Sequence, residues 1–250
     1  AVSYTATIEA DLARRDFTMN AIAVSLPDGA IVDPFNGRAD IRAGRIQTVG
    51  NPLDRFLEDG LRPVRAIRFA AQLDFTVDTG TLQAIPQTLH ITKRISIERF
   101  RDELTKMLIC PSPIAGLRLM EDTGLLRLFL PELMQCRGVK QGGSHRFDVL
   151  DHCFFACNAC PSGMEHIHIR LAGLFHDIGK PSVRAQGADG NYTFYRHELV
   201  SEKMTRSIMR RLKYSNASIE KTAHLVAQHM FHYDRSWTDA AVRRFIVRVG

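Results

Sequence analysis

The chain has 250 residues, of which 45% are apolar and 24% charged, and its formal net charge is +6. This composition is typical of a soluble globular protein, and the sequence contains no run of about 18 apolar residues, as a membrane-spanning helix would require. The five cysteines are an odd number, which argues against a disulfide framework and for a reducing compartment. We therefore expect a cytoplasmic protein with no membrane partner. The composition leaves its oligomeric state open.

The first 50 residues predict a small segment that contains β-strands. Two short β-like runs, at 21–26 and 30–33, flank a Pro-Asp-Gly turn, which favours a hairpin. A third candidate strand follows at 45–50. This part of the chain therefore has the mixed character of a small sheet with irregular connections.

From residue 52 onwards, apolar residues recur at the spacing of amphipathic helices through most of the chain. One exception is a Gly-rich polar stretch at 135–147, which predicts a loop or linker. Another is the segment at 181–195, which predicts a loop or small hairpin. The sequence thus predicts an α+β fold that is mainly α.

Basic residues concentrate near the end of the chain. Residues 201–250 contain ten Lys or Arg against four Asp or Glu, whereas the first 200 residues balance at 23 of each. A basic stretch suits a polyanion such as RNA, because neutralising phosphates releases counterions. An arginine-rich helix face that is simply solvated explains the charge equally well, so charge alone leaves both interpretations open.

Arginines and carboxylates cluster between residues 55 and 71. Arg62, Arg65 and Arg68 recur every three residues, and Glu58 and Asp59 lie about one helical turn before Arg62. Arginine forks can clamp a triphosphate, and an Asp beside an Arg can read the hydrogen-bonding edge of a base. The alternative is a solvated helix face with internal ion pairs. Because proline is tolerated only in the first turn, Pro63 predicts that this helix begins near residue 60.

Three cysteines have the spacing C-x3-C-x2-C of a radical iron–sulfur motif: Cys153, Cys157 and Cys160. The segment reads as a helix, however, and residues at i, i+4 and i+7 simply share one helix face. We therefore predict a packed helix rather than a cluster.

Histidines and one carboxylate with the character of metal ligands lie in the last 106 residues. His176 and Asp177 are adjacent in an apolar predicted helix that ends at Gly179. His152 lies upstream, and His197 and His229 lie downstream on separate predicted helices. A lone buried histidine is usually structural, but a carboxylate in apolar surroundings needs a cationic partner. Imidazole and carboxylate ligands suit a divalent transition metal.

Four motifs occur in a fixed order in the first 105 residues: RRDFTxNA, DPFxGxxDI, EDxxRxxRxxRFAA and ISxERxRDEL. Here they begin at residues 14, 33, 58 and 95. Together they resemble the later motifs of class II CCA-adding enzymes and bacterial poly(A) polymerases. Gly60 stands where that family usually has proline.

This resemblance implies a reaction and a set of nucleotide-binding residues. The reaction is transfer of CMP and AMP from CTP and ATP to the 3′ end of tRNA, with Mg²⁺ ions clamping the attacking and leaving oxygens. Asp59 and Arg62 would select the base. Further implied contacts to the nucleotide, or to the joint between head and neck, are Arg15, Asp16, Asn20, Arg65 and Arg68. Asp33 and Asp40 would shape a loop, and Glu98 and Arg101 would support the helices beneath.

The family's metal-binding carboxylate pair, which follows a Gly-rich segment on an early strand, has no counterpart before Arg14. No Asp-x-Asp pattern occurs before residue 50. We therefore expect this chain to be part of such an enzyme, with no catalytic residue for nucleotidyl transfer.

The order His…His-Asp…His…His, with HDIGKP, resembles the HD superfamily of metal-dependent phosphohydrolases. The resemblance implies His152, His176 and Asp177 as ligands, with His197 and His229 for a second metal. Lys180 would hold a phosphate. The superfamily completes its site with a distant Asp, for which Asp239 is one candidate and a residue after Gly250 another.

The two resemblances predict three domains: the C-terminal part of a nucleotidyltransferase head at 1–50, a helical neck that binds RNA and nucleotide at 51–134, and an all-α HD domain at 135–250. The function they imply is part of a tRNA nucleotidyltransferase with tRNA, ATP and CTP as partners. The alternatives are an HD-type phosphatase or phosphodiesterase and a noncatalytic RNA-binding module. The motifs do not distinguish CCA-adding, A-adding and CC-adding relatives.

Overall fold

A computed structural model describes residues 7–26, 28–141, 147–187, 191–231 and 237–249. The chain divides into two compact units, Ala1–Phe129 and Leu130–Gly250. Helices dominate both units, so the prediction of an α+β, mainly α fold is confirmed. In the described part of the chain, no helix combines the length and the apolar character needed to cross a bilayer.

The first unit begins with the small β-containing segment. Helix α1 spans Ile8–Leu12, and strands β1 (Ala23–Val24) and β2 (Ile31–Val32) form the predicted antiparallel hairpin. Its turn residue Pro27 lies outside the described residues. Helix α2 spans Gly37–Arg42 and strand β3 spans Arg45–Ile46. The third strand therefore exists, but it pairs in parallel with β4 (Thr76–Val77) and does not extend the hairpin.

The rest of the first unit is helical. Its helices are α3 (Pro52–Glu58), α4 (Arg62–Leu73), α5 (Thr79–Gln87), α6 (Leu89–Thr92), α7 (Ile97–Leu108), α8 (Ile114–Asp122) and α9 (Leu125–Phe129). Helix α4 packs against α7 and α8. Ile67 of α4 and Phe100 and Leu104 of α7 are all buried. Burial of each such side chain stabilises the unit by roughly 1.5–3 kcal/mol.

A break at residues 59–61 separates α3 from α4. Helix α4 begins at Arg62 with Pro63 in its first turn, within two residues of the predicted start. A Cβ on Gly60 would lie 2.8 Å from the backbone oxygen of Ile91, so the chain there admits only glycine without a shift. Glu58 consequently ends α3, and Asp59 lies in the connection rather than on the helix that carries the arginines.

The second unit contains seven α-helices among its described residues: α10 (Pro131–Met134), α11 (Val149–Ala159), α12 (Ile167–Phe175), α13 (Lys180–Val183), α14 (His197–Arg211), α15 (Asn216–Gln228) and α16 (Asp239–Val249). Helix α12 packs on both α11 and α15, and α15 packs on α14. Strands β5 (Ala185–Gln186) and β6 (Tyr192–Thr193) form an antiparallel hairpin, as predicted for 181–195. Of the predicted loop at 135–147, residues 142–146 lie outside the described residues.

Helix α11 carries the three cysteines at the predicted spacing. Cys153 and Cys157 are buried in the helix packing, and Cys160 is the residue that ends the helix. Burial raises the pKa of the Cys153 thiol well above its ordinary value, so this group is a protonated packing side chain.

The prediction that His176 and Asp177 lie within a helix ending at Gly179 is wrong. Helix α12 ends at Phe175, and the pair lies in the turn before α13. The turn packs tightly on α14, because a Cβ on Gly179 would lie 2.7 Å from both His197 O and Ser201 N. Gly179 also donates a backbone hydrogen bond to Ser201 Oγ at 2.9 Å. This close approach brings Asp177 to the start of α14.

Candidate metal centre and arginine cleft

Four helices of the second unit bring the predicted metal-binding residues together. His152 lies within α11, His176 and Asp177 follow α12, His197 is the first residue of α14, and His229 follows the last residue of α15. Two groups of three share Asp177: His152 with His176, and His197 with His229. Within each group the candidate ligand atoms all lie within 4.8 Å of one another.

The carboxylate of Asp177 faces the two histidine pairs with different oxygens. Its Oδ2 lies 3.3 Å from His152 Nε2 and 3.2 Å from His176 Nε2. Its Oδ1 lies 3.0 Å from His197 Nε2 and 3.6 Å from His229 Nε2. Two ligands bound to one tetrahedral zinc-like ion at about 2.1 Å lie about 3.4 Å apart, so these separations suit a shared cation.

Backbone hydrogen bonds fix the tautomers of three of these histidines. The Nδ1 atoms of His176, His197 and His229 lie 2.9, 2.8 and 2.7 Å from the carbonyl oxygens of residues 173, 194 and 226. A carbonyl only accepts, so each Nδ1 donates, and the Nε2 of each neutral ring carries a bare lone pair. The Nε2 atoms of His197 and His229 are nevertheless only 3.1 Å apart. Two facing lone pairs at that distance call for a cation between them.

The burial of the Asp177 carboxylate also requires a nearby cation. It is 1% exposed, and its Oδ1 has no hydrogen-bond donor in the described structure. Burial alone would raise the pKa of its carboxyl, but hydrogen bonds from His176, His197 and His229, when their Nε2 atoms carry a proton, lower that pKa well below its ordinary value. Burial would likewise lower the pKa of His197, whereas its contact with Asp177 raises it. The carboxylate attracts positive charge, as a proton or as a metal ion, so these residues fit a divalent cation.

A cavity of about 550 Å³ opens beside the metal centre. Besides the five candidate ligands, it is lined by Lys180, Phe194, Tyr195, Arg196 and other residues of the β6–α14 region. Lys180 Nζ donates to Asp177 Oδ2 at 2.6 Å and to Gln141 Oε1 at 2.6 Å. Sequence reasoning missed Gln141, because it lies in a polar stretch with no periodic pattern. Asp239 opens α16 and belongs to neither group of candidate ligands among the described residues.

A second polar cavity, of about 530 Å³, lies in the first unit and is called the arginine cleft. It is lined by Asp11, Arg14, Arg15, Arg55, Glu58 and Arg62. Arg62 donates to Glu58 at 2.7 Å and to the backbone oxygens of Arg55 at 2.8 Å and Arg14 at 3.0 Å. The start of α4 is thereby tied to the first motif, and the four arginines outnumber the two carboxylates around the cleft.

Asp16 joins the same two segments beside the cleft. Its Oδ2 accepts from Arg65 Nε at 2.7 Å, and its Oδ1 accepts from Asn20 Nδ2 and from Phe17 N, both at 2.9 Å. Arg65 therefore holds the first motif in place. It is not among the residues that line the cleft.

Asp59 contacts a residue that sequence reasoning did not single out. It accepts from Arg99 Nη2 at 2.9 Å and from the Leu61 N–H at 3.0 Å. Burial would raise the pKa of its carboxyl, but these hydrogen bonds and the nearby Arg62 lower it, so the group is ionised. Arg99 lies in the fourth motif, and its place in that motif was the sequence signal that could have identified it. In the same motif, Glu98 is exposed and Arg101 pairs with Asp102 at 2.8 Å.

Arg68 lies away from the arginine cleft, in a cavity of about 450 Å³ that Lys106 also lines. Its Nε donates to the buried Glu103 at 2.8 Å, and its guanidinium carbon lies 3.4 Å from the centre of the Phe69 ring. The three-residue spacing therefore does not form one continuous binding stripe, because the direction of the side chains drifts around the helix.

The two carboxylates of the second motif organise its loop. Asp33 accepts from the backbone N–H groups of Gly37 at 2.7 Å and Arg38 at 3.0 Å. Asp40 is buried and accepts from Thr18 Oγ1 at 2.6 Å and from Arg45 Nε at 2.8 Å. Both side chains are thus occupied by groups of the protein itself.

Comparisons with known proteins show which family the chain belongs to. Residues 1–47 match the family model described as the Poly A polymerase head domain. Residues 74–136 match the one described as the probable RNA and SrmB-binding site of polymerase A, and residues 149–245 match the HD domain. An A-adding tRNA nucleotidyltransferase of Deinococcus radiodurans is 37% identical over 96% of this chain and 56% of its own length. The chain belongs to the family of CCA-adding tRNA nucleotidyltransferases and bacterial poly(A) polymerases, with a fused HD domain.

Other relatives in this family differ in the nucleotides named for them. A CC-adding tRNA nucleotidyltransferase of Thermus thermophilus is 32% identical over 96% of this chain and 56% of its own length. The crystal structure of the Bacillus stearothermophilus CCA-adding enzyme in complex with CTP is 28% identical, with a TM-score of 0.66, over 99% of this chain and 54% of that one. The chain thus spans somewhat more than half the length of these relatives.

The metal centre lies within one family match, whereas the arginine cleft lies partly within another and partly between two matches. All five residues of the metal centre lie within the HD match. The first side of the arginine cleft, Asp11 to Arg15, lies within the head match, whereas Arg55, Glu58 and Arg62 lie between the head and RNA-binding matches.

Proposed function

We propose that this chain is part of a tRNA nucleotidyltransferase that adds C and A to tRNA 3′ ends without a nucleic-acid template. Residues 1–50 would be the C-terminal part of its head, residues 51–134 its helical neck, and residues 135–250 its HD domain. The observation that supports this most directly is the arginine cleft, in which two segments 40 residues apart contribute four arginines. We also propose the cytoplasm as its compartment.

The chemistry of the cleft suits a nucleoside triphosphate. Its four arginines against two carboxylates leave an excess of positive charge, and Arg14 and Arg15 are exposed enough to reach a ligand. Guanidinium groups bind phosphate oxygens with charge-assisted hydrogen bonds. Arg62, half-buried and hydrogen-bonded to the backbone, is oriented before a ligand arrives. With the ionised Asp59 nearby, it would meet the hydrogen-bonding edge of C or A, while Asp16 and Asn20 would organise the ribose side.

Four carboxylates in the motifs of the first unit already have partners. Asp16, Asp33, Asp40 and Asp59 each accept hydrogen bonds from guanidinium, hydroxyl or backbone groups. We therefore propose no residue of this chain as the metal-binding carboxylate of nucleotidyl transfer. Mg²⁺ would supply charge neutralisation at the reacting phosphate in this reaction. This chain would bind and orient CTP, ATP and tRNA.

Substitution of the cleft arginines should weaken nucleotide binding. We expect Arg15→Ala and Arg62→Ala to weaken binding of CTP and ATP to the 250-residue chain by about tenfold or more, since a hydrogen bond to a charged group contributes roughly 1.5–3 kcal/mol. Titration calorimetry measures this. The exposed Arg42 of α2 provides a matched control, and Arg42→Ala should bind like the parent.

An assay of nucleotide addition to tRNA complements the binding measurements. The parent chain should bind CTP and tRNA lacking its CCA end but should not extend that tRNA in the presence of Mg²⁺. Loss of binding in Arg42→Ala equal to that in Arg15→Ala would contradict the proposed cleft. Mg²⁺-dependent extension by this chain alone would mean that carboxylates assigned here to other partners bind the metal.

The metal centre supports a second activity in the same protein, metal-dependent hydrolysis of phosphate esters. His152, His176 and Asp177 would hold one divalent transition metal ion, and His197 and His229, with Asp177, a second. Such an ion supplies a Lewis acid and a nucleophilic hydroxide. Lys180, at the wall of the adjoining cavity, would bind a phosphate oxygen of the ester. A noncatalytic RNA-binding module would bind tRNA but perform neither reaction.

The basic end of the chain should contribute to tRNA binding through phosphates. Arg243 and Arg244 are exposed on α16. We expect their double reversal to Glu to weaken binding of all tRNAs alike and to reduce the slope of log affinity against log salt by about 0.7 per lost phosphate contact. Binding measured at several salt concentrations gives the slope. The exposed pair Arg38 and Arg42 on α2 is the control, and an unchanged slope in the α16 variant would identify a solvated face.

A further inference from the structure

Gln141 is a buried polar neighbour of the metal centre that belongs to neither group of candidate ligands. It is 7% exposed, and its Oε1 accepts from Lys180 Nζ at 2.6 Å. An ammonium group only donates, so the amide oxygen must face Lys180 and the Nε2 must point away from it. That Nε2 is buried without an acceptor in the described part of the chain.

The orientation of Gln141 is therefore costly. A buried donor without a partner is destabilising, because it has lost its hydrogen bonds to water. The contact that offsets this cost is the hydrogen bond from Lys180. The pair thus behaves as one unit, in which the glutamine side chain holds the ammonium group.

The Lys180 ammonium group would compete with a bound metal ion for Asp177, and Gln141 offers it a second acceptor. Its Nζ lies 2.6 Å from Asp177 Oδ2, and this same oxygen faces His152 and His176. A cation bound between those histidines shares the oxygen with the ammonium group, and the two positive charges repel. A neutral acceptor outside the ligand shell keeps the ammonium beside the cavity without a further charge.

The ammonium group is also placed to meet a ligand. Lys180 lines the 550 Å³ cavity, with its Nζ 5.5 Å from the centre of the Phe194 ring. Two of its three N–H donors are used by Asp177 and Gln141. The third has no acceptor among the described residues and is available to an anion in the cavity.

We propose that Gln141 is a positioning residue for anion binding at the metal centre. Its amide oxygen holds the Lys180 ammonium at the cavity wall when Asp177 is shared with a cation, and the ammonium then binds a phosphate oxygen of the ligand. This inference rests on the metal centre proposed above. Gln141 would allow a metal ion and the Lys180 ammonium group to share the carboxylate of Asp177.

The experiment measures the affinity of the manganese-loaded chain for inorganic phosphate by calorimetry and its manganese content by elemental analysis. Gln141→Leu should weaken phosphate binding by about tenfold or more, the scale of a lost hydrogen bond to a charged group, and should retain its manganese. Gln141→Glu keeps an acceptor for Lys180 but adds a negative charge, so it should bind phosphate more tightly than Gln141→Leu and less tightly than the parent. This second variant separates the lost acceptor from damage to the fold.

A double variant decides whether Gln141 acts through Lys180. In a Lys180→Met background, Gln141→Leu should change phosphate affinity by less than about twofold, because the group it positions is gone. Equal losses from Gln141→Leu with and without Lys180 would overturn the proposal, as would a Gln141→Leu chain that binds phosphate like the parent. A parent chain that binds neither manganese nor phosphate would overturn the metal centre and, with it, this inference.

Discussion

Asp177→Ala is expected to remove bound divalent metal from the chain. Asp177 is the only carboxylate in the two groups of candidate ligands among the described residues, and each of its oxygens faces one histidine pair. Without it, each cation would keep two neutral imidazoles and no anionic ligand in a buried setting, where an uncompensated charge is strongly unfavourable. We therefore expect Asp177→Ala to retain only background metal after it has been loaded with manganese and the unbound ion has been dialysed away, as measured by elemental analysis.

The histidine variants make this prediction more specific. His176→Ala should remove the ion held with His152, since one imidazole and one carboxylate oxygen leave an incomplete ligand set. Glu165 is a matched control, because it is an exposed acidic residue of the same unit. Glu165→Ala should retain the parent's metal. Equal metal content in the parent, Asp177→Ala and His176→Ala would make the histidine cluster structural.

The residues of the metal centre could be named from the sequence, but their arrangement could not. An adjacent His-Asp pair in apolar surroundings is a strong local signal, and the order of the other histidines supported it. Which histidines face which oxygen of Asp177 depends on how four helices pack. Gln141 gave no signal at all, because a glutamine in a polar loop has no periodicity and its partner lies 39 positions away.

The first unit shows where helical periodicity fails. Apolar spacing runs on through residues 55–71, yet the chain breaks between α3 and α4. Pro63 predicted a helix start near residue 60, but the close approach of Gly60 to the backbone of Ile91, which only glycine allows without a shift, has no local signal. The same limit applies to β3, whose partner strand β4 lies 30 residues further along the chain. Local propensity predicts elements, whereas tertiary contacts decide their ends and partners.

Glu103→Gln is expected to destabilise the packing of α4 on α7 by about 3–5 kcal/mol, the usual cost of removing one partner of a buried ion pair. Glu103 is buried and accepts from Arg68 at 2.8 Å and Lys106 at 2.9 Å. Glutamine would keep the shape but leave the buried guanidinium without a counter-charge. Hydrogen exchange of α4 and α7 peptides measures the effect within the first unit. Glu98→Gln, an exposed change on the same helix, should stay within about 0.5 kcal/mol of the parent.

The pH dependence of this effect gives a second test and bears on function. Burial would raise the pKa of the Glu103 carboxyl, but Lys106 and Arg68 lower it below the ordinary 4.5. A lowered folded-state pKa stabilises the fold fully above the ordinary value and loses that contribution as the pH falls through the folded-state pKa. The difference between parent and Glu103→Gln should therefore be largest near neutral pH and shrink in acid. If both exchange alike at neutral pH, the contact between Glu103 and Arg68 does not stabilise the packing of α4 on α7.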